Sequence, residues 1–146
     1  SYITDVPIWN AQSLPKSRLN QGLKDNGKTI FLPSGKLTVT QLEGILRTLP
    51  FELTFVDAAD TNQYFSESTP LFPRPLTALG HSVYDCHPPK VIPMVKGVIE
   101  KLRSGEKDSL GFETIKKGKK ARVRYLAVRD REGAYLGTLE VVEELS

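Results

Sequence analysis

The chain's only cysteine, one of its two histidines and its only methionine stand close together as Cys86, His87 and Met94 in the stretch SVYDCHPPKVIPMV. Imidazole and sulfur are ligands for haem iron and for softer metals, so this set is the first place to look for chemistry. A closed zinc site needs four such ligands, and the sequence does not complete one. Adjacent positions 86 and 87 also point in different directions. The competing reading is structural, with the imidazole pinning a turn ahead of a helix by a hydrogen bond, and it is the preferred one. His87 is kept as the candidate haem ligand, with His81 and Cys86 behind it, and no metal site is expected. Cys86 could serve as a redox sensor only as an accessible thiolate near positive charge. A lone buried thiol is more often a small apolar side chain, and no resolving cysteine is present.

Other chemistry is thinly represented. No glycine-rich phosphate loop and no G-x-S-x-G elbow occurs, and two histidines give little choice of general base, so catalysis is not expected. The run KKGKKARVR, residues 116 to 124, holds six basic residues in nine. Gly118 reads as a hairpin turn inside it. Lys120, Arg122 and Arg124 then alternate with Ala121, Val123 and Tyr125 as a solvated strand face. Aromatic residues for stacking on bases are not interleaved, and a nucleic-acid partner is not expected.

The totals agree with a single soluble domain: 146 residues, 39% hydrophobic, 25% charged and a formal charge of +3. One cysteine makes no internal disulfide. No signal peptide or long apolar span is visible, so a cytoplasmic location and no membrane partner are expected. The chain begins Ser-Tyr-Ile without an initiator methionine, which suggests a piece of a longer protein.

The elements that must position these residues follow from periodicity. Residues 1–36 lack a sustained period and read as an irregular arm or interdomain linker, whose Ile8, Trp9, Leu14, Leu19 and Leu23 could dock elsewhere. Leu42, Ile45, Leu46 and Leu49 have helical spacing, Thr40 and Glu43 have that of a capping box, and Pro50 stops this helix of residues 38–49. FELTFVD and QYFS form a β-hairpin over residues 51–66. Five prolines between Glu67 and Pro89 give turns and one-turn helices. The main helix places Val91, Val95, Val98, Ile99 and Leu102 on one face, with Pro93 in its first turn and Gly105 as its C-terminal cap. Three strands follow as an antiparallel meander.

This order, with Gly80, Val83, Asp85, His87 and Pro88 in a glycine-x-x-valine-x-aspartate-x-histidine-proline pattern, resembles a PAS domain. The segments LPSGKLTVTQLEGILRTLPFELTFVDAADTNQYFS, FPRP, CHPPK and VRYLAVRDREGAYLGTLEVVEEL narrow the resemblance. They are similar to PAS domains found C-terminal to a conserved-unknown region and a hemerythrin-like domain in bacterial and archaeal proteins. The resemblance covers about residues 32–145, and the PAS domain with its leading helix is assigned to 37–146.

It implies an α+β fold: a five-stranded antiparallel sheet with helices on one face and a pocket between sheet and main helix. The pocket expected here is lined by Phe55, Tyr64, Phe65, Phe72, Val83, Val95, Val98, Ile99, Phe112 and Tyr125. Haem-binding relatives place their histidine within the main helix, near Ile99, where this chain is apolar. The cysteine setting of a covalent flavin photosensor is absent around Cys86. The cofactor, if any, is left open. The resemblance implies a non-catalytic sensor that binds a small ligand and relays a signal within a larger protein. The alternative is a cofactor-free module for homodimerisation or for docking an upstream domain, through helix 38–49 and an outer sheet face carrying Leu126 and Val128.

Overall fold

The structure is a computed structural model that describes residues 28–67 and 71–145. The readings made for residues 1–27, including the docking of Ile8, Trp9, Leu14, Leu19 and Leu23, lie outside the described residues.

The described part of the expected irregular arm is a hairpin. Strands β1 (Thr29–Leu32) and β2 (Gly35–Thr38) pair antiparallel, with Ile30 opposite Leu37 and Phe31 opposite Lys36. Thr29, Ile30 and Phe31 favour extended backbone, and Pro33 presets the turn. Helix α1 (Val39–Thr48) starts directly from β2. Its cap differs from the expected Thr40 and Glu43. Thr38 Oγ1 accepts the Gln41 amide at 3.0 Å, and Gln41 Oε1 accepts the Thr38 amide at 2.9 Å. The strand leaves Thr38 extended, the conformation an N-cap requires, so the box forms two residues earlier. Glu43 pairs instead with Arg47, 2.9 Å away and one turn on.

Strands β3 (Glu52–Asp57) and β4 (Asn62–Phe65) form the expected second hairpin. Three short 3-10 segments, Leu76–Ala78, Val83–Cys86 and Pro89–Val91, lead into helix α2 (Ile92–Ser104). Pro93 sits in its first turn, where amides have no helical acceptor, and Gly105 caps it at φ 84°. Strands β5 (Ser109–Lys116), β6 (Lys119–Arg129) and β7 (Tyr135–Glu144) complete one five-stranded antiparallel sheet of order β4-β3-β7-β6-β5. The β5–β6 turn is two residues, Lys117 and Gly118, both at positive φ.

The core lies between the sheet and α2. Val95, Ile99 and Leu102 share one helix face and pack with Val56, Val123, Tyr125 and Val142 of the sheet and with Phe72 and Val83 of the connecting segment. Each such side chain is worth about 1.5–3 kcal/mol on burial. On the other face of β6, Lys120 and Arg122 lie 3.4 and 3.5 Å from Glu113, while Arg122 and Arg124 lie 3.9 Å from Glu143. The basic run is therefore a strand face interleaved with carboxylates. Among the described residues no helix is long and apolar enough to cross a membrane.

Candidate functional site

Cys86, His87 and Met94 do not converge. Ser82 opens the segment Val83–Cys86 by accepting the Tyr84 amide on its hydroxyl. His87 follows this segment, 3% exposed, and its Nδ1 donates to the Val83 carbonyl at 2.8 Å. Cys86 is buried against Phe65 and Ala78, with Asn62 Nδ2 donating to its Sγ at 3.1 Å. Met94 is exposed on α2 and lines a different region. Among the described residues, no group of three or more His, Cys, Asp and Glu side chains is placed to hold a metal.

The ten residues expected to line one pocket fall into four places. Phe72, Val83, Val95, Ile99 and Tyr125 are buried, filling the interior between sheet and helix, while Phe65 is buried in a separate cluster with Ala78 and Cys86. Phe55 and Tyr64 are register partners on the opposite sheet face, because strand residues alternate and it is Val56 that enters the core. The Phe55 ring lies over Gly137, where an added Cβ would come within 2.7 Å of it. Val98, Phe112 and the edge of Tyr125 face a cleft instead.

That cleft, about 390 Å³, lies between α2 and the β5–β6 end of the sheet. Met94, Gly97, Val98 and Lys101 line it at helical spacing from one side. Leu110, Gly111, Phe112 and Tyr125 line it from the other. Leu110 is the cross-strand partner of Tyr125, and the Phe112 and Tyr125 rings stand 6.4 Å apart at 35°. Gly97 has the most to say about the cleft. A glycine inside a helix costs about 0.8–1 kcal/mol relative to alanine, and a Cβ at Gly97 would meet nothing within 4 Å. The helix thus carries a weakening residue where an added methyl group would enter open space.

Two polar ties set the geometry around this cleft and core. At the C-terminal end of α2, Arg103 Nη2 donates to Asp60 Oδ1 at 2.6 Å, and its Nη1 donates to the Ala58 carbonyl at 2.9 Å. The Tyr84 hydroxyl donates to the other Asp60 oxygen at 3.2 Å. Burial, then the neighbouring Asp60 carboxylate, pushes the Tyr84 hydroxyl well above the usual tyrosine range, so it stays a donor. Arg103 also lies over the Tyr135 ring, 5.0 Å from its centroid. The second tie is Arg74 of the FPRP stretch. Its buried guanidinium donates to the Leu53 carbonyl at 2.7 Å and to Thr54 Oγ1 at 3.1 Å. Glu52, 3.8 Å away, accepts the Leu71 and Phe72 amides. Burial lowers the Arg74 pKa, with Glu52 and Glu140 opposing that shift.

Residues 42–146 match the family described as a PAS domain. The chain belongs to the PAS family. Among solved structures, this PAS domain is similar to a C-terminal domain from Streptococcus mutans, at 39% identity and TM-score 0.78, covering 82% of this chain and 94% of that one. It also shares its fold with a PAS domain from Colwellia psychrerythraea, at 11% identity and TM-score 0.54, covering 73% and 96%. A sensory box sensor histidine kinase from Vibrio cholerae matches at 15% identity and TM-score 0.51, covering 72% and 90%. No curated protein matches the chain.

Sequence reasoning missed Met94, Gly97, Lys101, Leu110 and Gly111 as cleft residues of this PAS domain. Gly97 was the available signal, a glycine in the middle of an otherwise regular helical pattern. The roles of Arg74 and Asp60 had no local signal, since their partners lie 20 and 43 residues away.

Proposed function

We propose that this PAS domain is a non-catalytic sensor that takes a small ligand in the cleft between α2 and β5–β6 and passes the event on through α2. The observation that carries this reading is Gly97: a helix-weakening residue held where a side chain would fill the cleft. The walls are mostly apolar, and about 390 Å³ falls within the range of roughly 300–1,000 Å³ typical of small-molecule sites. The ligand must favour one arrangement of α2 over another for a signal to result. The Arg103–Asp60 contact gives α2 a direct mechanical connection to the β3–β4 turn. A hemerythrin-like domain upstream, as the resemblance implies, would receive the signal, and the cytoplasm is the proposed setting.

Indole is a suitable ring-sized probe for the cleft itself. Titrated into isotope-labelled protein, it is expected to shift the amides of Gly97, Gly111 and Phe112 and, more weakly, those of Asp60 and Arg103. Gly97→Leu should abolish these shifts while leaving the rest of the spectrum in place. Indole shifts confined to residues outside the cleft, or unaffected by Gly97→Leu, would overturn the assignment.

A second reading rests on a separate observation. Phe31 is 78% exposed and Ile45 46% exposed, with Leu32 and Leu49 also open to solvent, all on the β1–β2 hairpin and α1. α1 buries none of its residues. An apolar surface of this kind fits homodimerisation or docking of a neighbouring domain. Light scattering of the full chain tests self-association: a dimer that Ile45→Glu dissociates supports it, and a monomer at high concentration counts against it.

A further inference from the structure

From the charges that line the cleft, we infer that its ligand is a small organic acid with an apolar body, held by its carboxylate at Lys101; this rests on the cleft reading above. Lys101 is the only charged residue among the lining side chains, and no carboxylate joins it there. Elsewhere on the described surface, several cations are matched to carboxylates. Arg103 is tied to Asp60, Arg122 to Glu113 and Glu143, Arg124 to Glu143, Lys119 to Glu144 and Lys120 to Glu113. Lys101 takes part in none of the ion pairs among the described residues.

The geometry divides the cleft into an apolar floor and one charged rim. Met94, Val98 and Lys101 project from successive turns of the same helix face. A ligand lying along α2 would therefore place its apolar body against Met94, Val98 and Phe112 and its polar end at the Lys101 ammonium. Methionine adapts to irregular apolar shapes and contacts aromatic rings favourably. A lysine ammonium meeting a carboxylate in a partly desolvated cleft makes a charge-assisted hydrogen bond, stronger than a neutral one. A neutral ligand of the same shape would leave that rim unused. An amine would meet like charge.

The test compares a charged probe with its neutral twin, 4-phenylbutyrate and 4-phenylbutanol, by amide-shift titration of the full chain. The acid is expected to bind about tenfold or more tightly than the alcohol, with shifts centred on Gly97 and Phe112. Lys101→Gln should bring the acid down to the alcohol's affinity and leave the alcohol unchanged. Raised salt should weaken the acid alone. Equal binding of both probes, with no effect of Lys101→Gln, would overturn the organic-acid inference and leave the cleft as a ligand site. If neither probe moves the cleft amides of the wild-type chain, the inference and the cleft reading fall together. Gly97→Leu, which blocks the floor without touching Lys101, must abolish binding of both probes; binding that survives it would place them elsewhere and overturn the proposal.

Discussion

Arg103 and Asp60 join the last turn of α2 to the β3–β4 turn across 43 residues of sequence, with a donor–acceptor distance of 2.6 Å. Asp60 holds this contact from a left-handed backbone, φ 64°, while its other oxygen accepts the Tyr84 hydroxyl. One carboxylate thus fixes three segments: the turn, the 3-10 segment and the helix end.

Asp60→Ala removes both acceptors and adds a side chain ill suited to positive φ. The expected loss is about 1–3 kcal/mol in urea unfolding, with faster hydrogen exchange at the end of α2. Asp60→Asn, which tolerates the same backbone conformation and keeps acceptor capacity, should lose less. Equal losses for the two would show that the carboxylate's bonds contribute little.

Gly97→Ala should stabilise the domain. The new methyl meets no neighbour, and alanine is the better helix former by about 0.8–1 kcal/mol, so the melting temperature should rise by several degrees. A fall would mean that the space at Gly97 is not open in solution.

Asp57 organises the β3–β4 turn by accepting the Ala59 and Thr61 amides on one oxygen and the Gln63 side chain on the other. Burial pushes its carboxyl up, but the hydrogen bonds from Gln63, Thr61 and Ala59 together outweigh this and hold it below the ordinary 3.8. Its folded pKa is below its unfolded one, so its contribution is complete above about pH 4–5 and is lost as pH falls through the folded value. Asp57→Asn should therefore narrow the stability difference between pH 7 and pH 3 relative to the wild type. Parallel pH profiles for the two proteins would sink the assignment.

His87→Ala leaves the buried Val83 carbonyl without its imidazole donor. The expected cost is about 1–3 kcal/mol by thermal or urea unfolding. The visible spectrum of added hemin should be the same with wild type and variant, as a structural corner requires. A Soret band present with the wild type and absent with His87→Ala would restore the histidine as a haem ligand.

Most of the fold was legible because its signals are local. Pro93 and Gly105 bracket α2, and alternation with turn residues marks β3 to β7. The first hairpin was missed although Thr29 to Phe31 and the Pro33–Ser34 turn carried the same signals, because the surrounding arm is irregular in composition. The expected lining divides for a different reason. Alternation sorts a strand's residues into two faces without saying which is inside. In β3 the face with Leu53 and Phe55 looks more apolar than the one with Thr54 and Val56, yet the second faces the core. Thr54 can sit there because its hydroxyl accepts from Arg74, and the Leu53 carbonyl on the same strand is satisfied by the same guanidinium. Only tertiary partners reveal that inversion.

The two-residue turn at Lys117 and Gly118 acts as a ruler for the far end of the sheet. It pairs Lys116 with Lys119 and thereby sets every β5 residue against β6, down to Leu110 opposite Tyr125. One residue inserted there, with β6 held by β7, would slide β5 by a single step and exchange its two faces. Gly111 and Glu113 would then take the inward places of Leu110 and Phe112, bringing a carboxylate beside Lys101. A change in loop length at the tip of a hairpin would thus rewrite the lining of the cleft without substituting any residue in it.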